Sequence, residues 1–188
     1  MSYVRKFCLS IFCLYASWDC DVNCAVPKYY EDIASVMQGD YFKQNGFSDK
    51  WDFDKWQPDV VVINLGTNDD FAFRNEDCAN PGVLSMDGDS YKESDRIKVR
   101  DAIVDFLQVV RSKNPKAMIY WAFGMLGNDM ADTILEAIDI VRMQSGDERI
   151  KYIKLPATGD DELGSRWHPG EIAHEKVAAI ITEVISEG

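Results

Sequence analysis

Two short stretches hold residue types that suit each other chemically. The first, 66-GTND-69, stands at the end of the apolar run 59-DVVVINL-65. Asn68 brings an amide N–H donor, and Gly66 lets the backbone approach a ligand closely. Donors aimed at one point stabilise an oxyanion as it develops. Asn68 and Asp69 also read as plain turn and cap residues after a strand. The second stretch is 167-WHPG-170. Imidazole is the side chain whose ordinary protonation change falls near neutral pH. His168, ahead of Pro169, suits the last residue before a helix, and a surface histidine at a helix start is its plain alternative. The chain has two histidines. His168 and His174, six positions apart, would point about 240° apart around a helix, so they do not form a metal-binding pair on one face.

The elements that must position these residues follow from the apolar pattern. The run 59-DVVVINL-65 has the unbroken β-branched character of a central parallel strand. From Gly66 to Asp89 the turn signals 80-NPG-82 and 87-DGD-89 predict a long loop. Ser90 and Glu93 have capping-box spacing, which makes Ser90 the cap of a helix. That helix carries Val99, Ile103, Phe106, Leu107 and Val110 on one face and stops near Asn114, ahead of Pro115. A strand over 117-AMIYWAF-123 ends at Gly124. A helix with Ile134, Leu135, Ile138 and Val141 ends near Gly146, and 149-RIKYIKL-155 alternates as a strand. After a loop with Gly159 and Gly164, the last helix buries Val177, Ile180, Ile181 and Val184. This alternation predicts an α/β layered domain with a parallel sheet. Ligands of such sheets sit outside the carboxyl ends of the strands. The 66–69 turn and His168 both follow strands on that side, so the fold can bring them together.

Composition bounds the rest. The chain has 188 residues, of which 46% are apolar, enough for one domain with a substantial core. Its net charge of -12 repels phosphate backbones and argues against nucleic acid as a partner. No stretch approaches the roughly 18 apolar residues of a membrane span. Five cysteines, Cys8, Cys13, Cys20, Cys24 and Cys78, do not make a disulfide framework, and Cys20 with Cys24 lacks the second pair of a metal site. Arg5 and Lys6 before 7-FCLSIFCLYA-16 have the shape of a short signal peptide without an Ala-x-Ala site. The competing reading makes 4–16 a strand beside 59–65.

Four stretches together resemble the SGNH (GDSL-like) hydrolases, and among them the carbohydrate esterases of family two: 27-PKYYE-31, 51-WDFDKWQPDVVVINLGTNDD-70, 120-YWAFGMLG-127 and 167-WHPGEIAH-174. The resemblance covers roughly residues 14 to 186. It implies a three-layer flavodoxin-like fold and removal of acyl groups, often acetyl from sugars, through a serine nucleophile with no metal or other cofactor. It further implies His168 as general base and Asn68 with Gly66 in the oxyanion hole. Asp69, Trp167 and Ser165 would support them. The expected partner is a small-molecule or carbohydrate acyl ester.

The sequence departs from the family in three places. The family's first block is a strand ending in Gly-Asp-Ser, with the serine as nucleophile. Here the Gly-Asp-Ser is 88-GDS-90, downstream of the Gly-x-Asn-Asp turn, so the chain reads as beginning inside the family domain, with its sheet incomplete at the N-terminus. In 10-SIFCLYASW-18, Ile11 and Cys13 stand where the second block has glycines. Ser17 is the candidate substitute nucleophile, and Ser10 reads as structural. Ser165 stands where many members have the aspartate that orients the histidine. Some family two members use a backbone carbonyl instead, which fixes the tautomer without a charge. Three functions remain open: the esterase; a non-catalytic sugar-binding remnant, with Tyr15, Trp18, Trp121 or Trp167 stacking on a sugar; and a metal-dependent phosphoesterase using Asp69, Asp70 and His168.

Overall fold

The computed structural model describes residues 7–8, 57–74 and 84–188. A parallel sheet is the frame. Its strands are β1 (Phe7–Cys8), β2 (Val60–Ile63), β5 (Met118–Phe123) and β6 (Ile150–Lys154), in the order β1-β2-β5-β6. Helix α1 (Thr67–Arg74) follows β2, and a short antiparallel ribbon of β3 (Met86–Asp87) and β4 (Ser90–Tyr91) precedes α2 (Glu93–Lys113). Helix α3 (Ala131–Ser145) follows β5, and α4 (Glu171–Glu187) closes the chain.

The side chains of a strand alternate between faces, and the two faces here hold separate cores. Val61, Ile63, Ile119, Trp121, Phe123 and Ile150 pack with α2 and α3 on one side. Val60, Val62, Tyr120, Ala122 and Ile153 pack with Val177 and Ile185 of α4 on the other. Strands covered on both faces are apolar throughout, which is why 59–65 and 117–123 show no polar alternation. The result is the expected three-layer α/β arrangement. Phe7 and Cys8 pair in parallel with Val60 and Val61, so the N-terminal run does supply a strand beside β2. The rest of that run, with Ser10, Tyr15, Ser17 and Trp18, lies outside the described residues. Among the described residues no helix is long and apolar enough to cross a membrane.

Three expectations are corrected. The loop expected from Gly66 begins instead as helix: the Asp70 N–H donates to the Gly66 carbonyl at 3.0 Å, three residues after the end of β2. Asp69 and Asp70 in its first turn and Arg74 in its last complement the helix dipole, a signal that the turn-like composition obscured. Ser90 is not a helix cap. Gly88, at φ 63°, turns the chain back on itself and draws Ser90 into β4. The helix starts after Lys92, which makes no side-chain capping bond. Lastly, Ile180, Ile181 and Val184 are only partly buried and Leu135 is exposed, while Ile185 carries the burial at the end of α4.

Candidate active site

Four strands run in parallel, so their carboxyl ends form one rim. At the tip of β2 the chain must turn sharply into α1. Gly66 does this at φ 119°, with its Cα packed so closely that an added Cβ would lie 3.1 Å from Phe123 Cε2 and 3.4 Å from Ile134 Cδ1. The next residues diverge in burial: Asn68 is exposed on the rim, while Asp69 turns inward and is buried. Asp69 Oδ2 has no hydrogen-bond partner. Its carboxyl is pushed up to about 7, first by burial and secondarily by the neighbouring Asp70 charge, against the pull of its own backbone N–H.

At the tip of β5, Gly124 adopts φ 143°, and a Cβ there would sit 2.2 Å from the Leu155 carbonyl oxygen. Only glycine lets the loops after β5 and β6 cross this closely. The Thr158 N–H then donates to the Met125 carbonyl at 2.9 Å, tying the two loops together.

Beyond β6 the backbone braces itself. Leu163 and Pro169 form an isolated bridge, the Gly164 N–H donates to the His168 carbonyl at 2.7 Å, and the Gly170 N–H donates to the Glu162 carbonyl at 2.7 Å. Between these ties Arg166 (φ 54°) and Trp167 (φ 63°) are both left-handed without being glycine. Such residues cost about 1–2 kcal/mol each. The conformation points the Arg166 carbonyl back at the next turn, where the His168 ring Nδ1 lies 2.9 Å from its oxygen. With Nδ1–H donating to that carbonyl, the proton sits on Nδ1 and Nε2 is left as the acceptor nitrogen. The His168 N–H donates to the Ser165 carbonyl at 3.2 Å, so Ser165 contributes backbone here. Trp167 is 80% exposed. The helix expected directly after His168 begins two residues later, at Glu171, with Gly170 as its N-cap.

Gly66 and Asn68 thus follow β2, His168 lies in the loop that follows β6, and β5 stands between those two strands. Trp121 is not on the rim. It is fully buried, and its indole N–H donates to the Leu65 carbonyl at 3.0 Å, which removes it as a sugar platform. Among the described residues no three His, Cys, Asp or Glu side chains are grouped as a metal site. Sequence reasoning missed the Arg166 carbonyl, because nothing in Arg-Trp predicts paired left-handed residues. It also missed Tyr91, which a ribbon centred on Gly88 could have suggested, and named Asp70 only as a metal ligand.

A parallel sheet covered by helices on both faces is the α/β fold shared with known esterases. No known protein-family profile matches the chain. It is similar to the solved structure of an acetyl xylan esterase from the rumen bacterium Butyrivibrio proteoclasticus, at 33% identity and a TM-score of 0.81 over 93% of this chain and 48% of that one. It also matches a family two carbohydrate esterase from Clostridium thermocellum, solved with cellohexaose, at 24% identity and a TM-score of 0.60 over 84% of this chain and 42% of that one, a likeness of fold. Among curated proteins it is 28% identical over 141 residues to the cellulase/esterase CelE of Acetivibrio thermocellus, covering 72% of this chain and 15% of CelE. The chain is thus similar to an acetyl xylan esterase and shares the fold of family two carbohydrate esterases, and it spans about half the length of that acetyl xylan esterase.

Proposed function

We propose that this chain forms the base and oxyanion side of a serine-type carbohydrate esterase site, acting on acetyl or other small acyl esters of sugars. The observation that carries the reading is the hydrogen bond between the His168 ring Nδ1 and the Arg166 carbonyl. It holds the imidazole in the tautomer whose Nε2 can accept a proton from a serine hydroxyl. The serine oxygen adds to the ester carbonyl, and the amide of Asn68 and the Gly66 N–H donate to the resulting oxyanion. The tetrahedral intermediate collapses, His168 passes its proton to the departing sugar hydroxyl, and water then repeats the sequence to release the acid. The serine, like the roles given to His168, Asn68 and Gly66, comes from the family resemblance, and Ser17 is its candidate. Trp167, an aromatic face open to solvent beside the base, supports a sugar as the alcohol part of the ester. The relatives' descriptions as carbohydrate esterases support the same substrate class.

The test is hydrolysis of an aryl acetate by the purified chain, with His168→Ala beside it. Turnover that falls at least about 10³-fold in the variant is expected. Activity equal in both proteins would overturn the assignment of the base. No activity in either, with retained binding of a sugar oligomer, would replace the esterase by the sugar-binding remnant.

A further inference from the structure

Two side chains, from β4 and from α1 itself, converge on one carboxylate next to the Gly66 turn. Tyr91 of β4 donates its hydroxyl to Asp70 Oδ1. The same oxygen accepts from Arg74 Nε at 2.8 Å, one helical turn further along α1. Arg74 then reaches across to Asp129 Oδ2 at 3.2 Å, on the loop that follows β5. The Tyr91 ring is anchored independently: it packs against Phe73, with ring centroids 4.2 Å apart, and the Arg74 guanidinium lies 5.8 Å from its centroid. Phe73 is itself almost fully buried in the core under α2 and α3. Burial first, and then the bond to Asp70, push the Tyr91 hydroxyl well above its ordinary range, so it stays a neutral donor.

The geometry is that of a clamp. Helix α1 is only two turns long, and isolated helices of that length are unstable in water. Its first hydrogen bond is the one from Asp70 to Gly66. Whatever fixes Asp70 therefore also fixes the turn that presents Asn68. The exposed Arg74–Asp129 pair adds little by itself. The Tyr91–Asp70 bond is partly buried and charge-assisted, which is the stronger kind. We propose that Tyr91 and Asp70 are positioning residues, through which the β3–β4 ribbon holds helix α1 and thereby the Asn68 amide at the rim.

The inference rests on the esterase reading for its catalytic consequence but not for its structural one, and two measurements keep them apart. Hydrogen exchange on the full chain is the first. Tyr91→Phe deletes one hydroxyl and keeps the ring on Phe73. It should speed exchange of the amides of residues 70–74 about tenfold and leave the β5 amides unchanged. Unchanged exchange in α1, or equal acceleration everywhere, would overturn the clamp. Should Tyr91→Phe fold poorly, Asp70→Ala removes the same bond from the other side and should give the same local pattern. The second measurement is aryl acetate kinetics. Tyr91→Phe should lower kcat about tenfold at unchanged KM, and should add no further loss in an Asn68→Ala background. A change confined to KM, or a loss that adds fully to that of Asn68→Ala, would overturn the link to Asn68. A wild-type chain without acetate turnover would sink the esterase reading instead, and the exchange result would then decide the clamp alone.

Discussion

At the tip of β2 the chain passes from strand to helix through one glycine, whereas beyond β6 it runs through two 3-10 turns before reaching His168. Each route ends with one side chain to present. The β2 route uses regular structure, and its cost is electrostatic: Asp69 is carried inward with an unpartnered oxygen. The β6 route uses backbone alone, and its cost is torsional, in Arg166 and Trp167. The difference teaches what each end tolerates. Changing side chains should alter the β2 tip strongly. Beyond β6, most side chains should matter less than the carbonyls they hang from.

The largest expected effect lies in the buried carboxyl. Asp69 ionises less readily folded than unfolded, so the native state holds its proton more tightly. Stability from this residue is therefore full below about pH 4, declines as pH rises, and levels off above about 7. The loss is on the order of 4 kcal/mol at most. Asp69→Asn should remove that decline and stabilise the protein at pH 8 while changing little at pH 4. Glu136, held low by hydrogen bonds from Arg96 and Arg100, drives the opposite trend, so the difference between variant and wild type in urea titrations is the quantity to follow. A difference that stays flat from pH 4 to 8 would show that the carboxyl finds a partner. Next comes Asn68→Ala. It should cost about 3–4 kcal/mol of transition-state stabilisation, a hundredfold to thousandfold in kcat, with the melting temperature nearly unchanged. Loss of fold in place of loss of rate would make Asn68 a helix residue only.

The torsional end gives smaller effects. Arg166→Gly keeps the carbonyl that orients His168 and relieves a left-handed residue. Glycine's freedom in the unfolded chain offsets part of that relief, so a gain of up to about 1 kcal/mol is expected. Turnover should stay within about threefold. A large loss would mean that the guanidinium, and not the backbone, does the positioning.

The contrast also explains what the sequence disclosed. The apolar runs 59–65 and 117–123 announced doubly covered strands because burial on both faces leaves no room for polar residues. Gly66, Asn68 and His168 were legible because each is a residue type tied to a strand end or a helix start. Helix α1 was not. Its eight residues mix turn formers with two aromatics, and tertiary contacts such as Phe73 on Tyr91 stabilise it. Ser90 misled because capping spacing is a local signal, while the ribbon that claimed Ser90 depends on pairing with Met86–Asp87. The Arg166 conformation was illegible in principle: it is imposed by the ties between 162–164 and 168–170, and neither Arg nor Trp prefers it.

Ser165 gives the smallest effect and the sharpest discrimination. It stands where many SGNH hydrolases carry the aspartate that orients the base, yet its carbonyl accepts the His168 N–H and its side chain is exposed. If the Arg166 carbonyl fixes the imidazole, Ser165→Ala should leave kcat within about twofold, the usual span for an exposed side chain away from any buried contact. A hydroxyl that served as a hidden third member of the site would behave differently, because losing it would free the ring to choose the wrong tautomer, and wrong-tautomer variants of related triads lose about 10⁴-fold. The two outcomes lie more than three decades apart. One rate measurement on Ser165→Ala therefore separates a base held by backbone from a base held by a side chain.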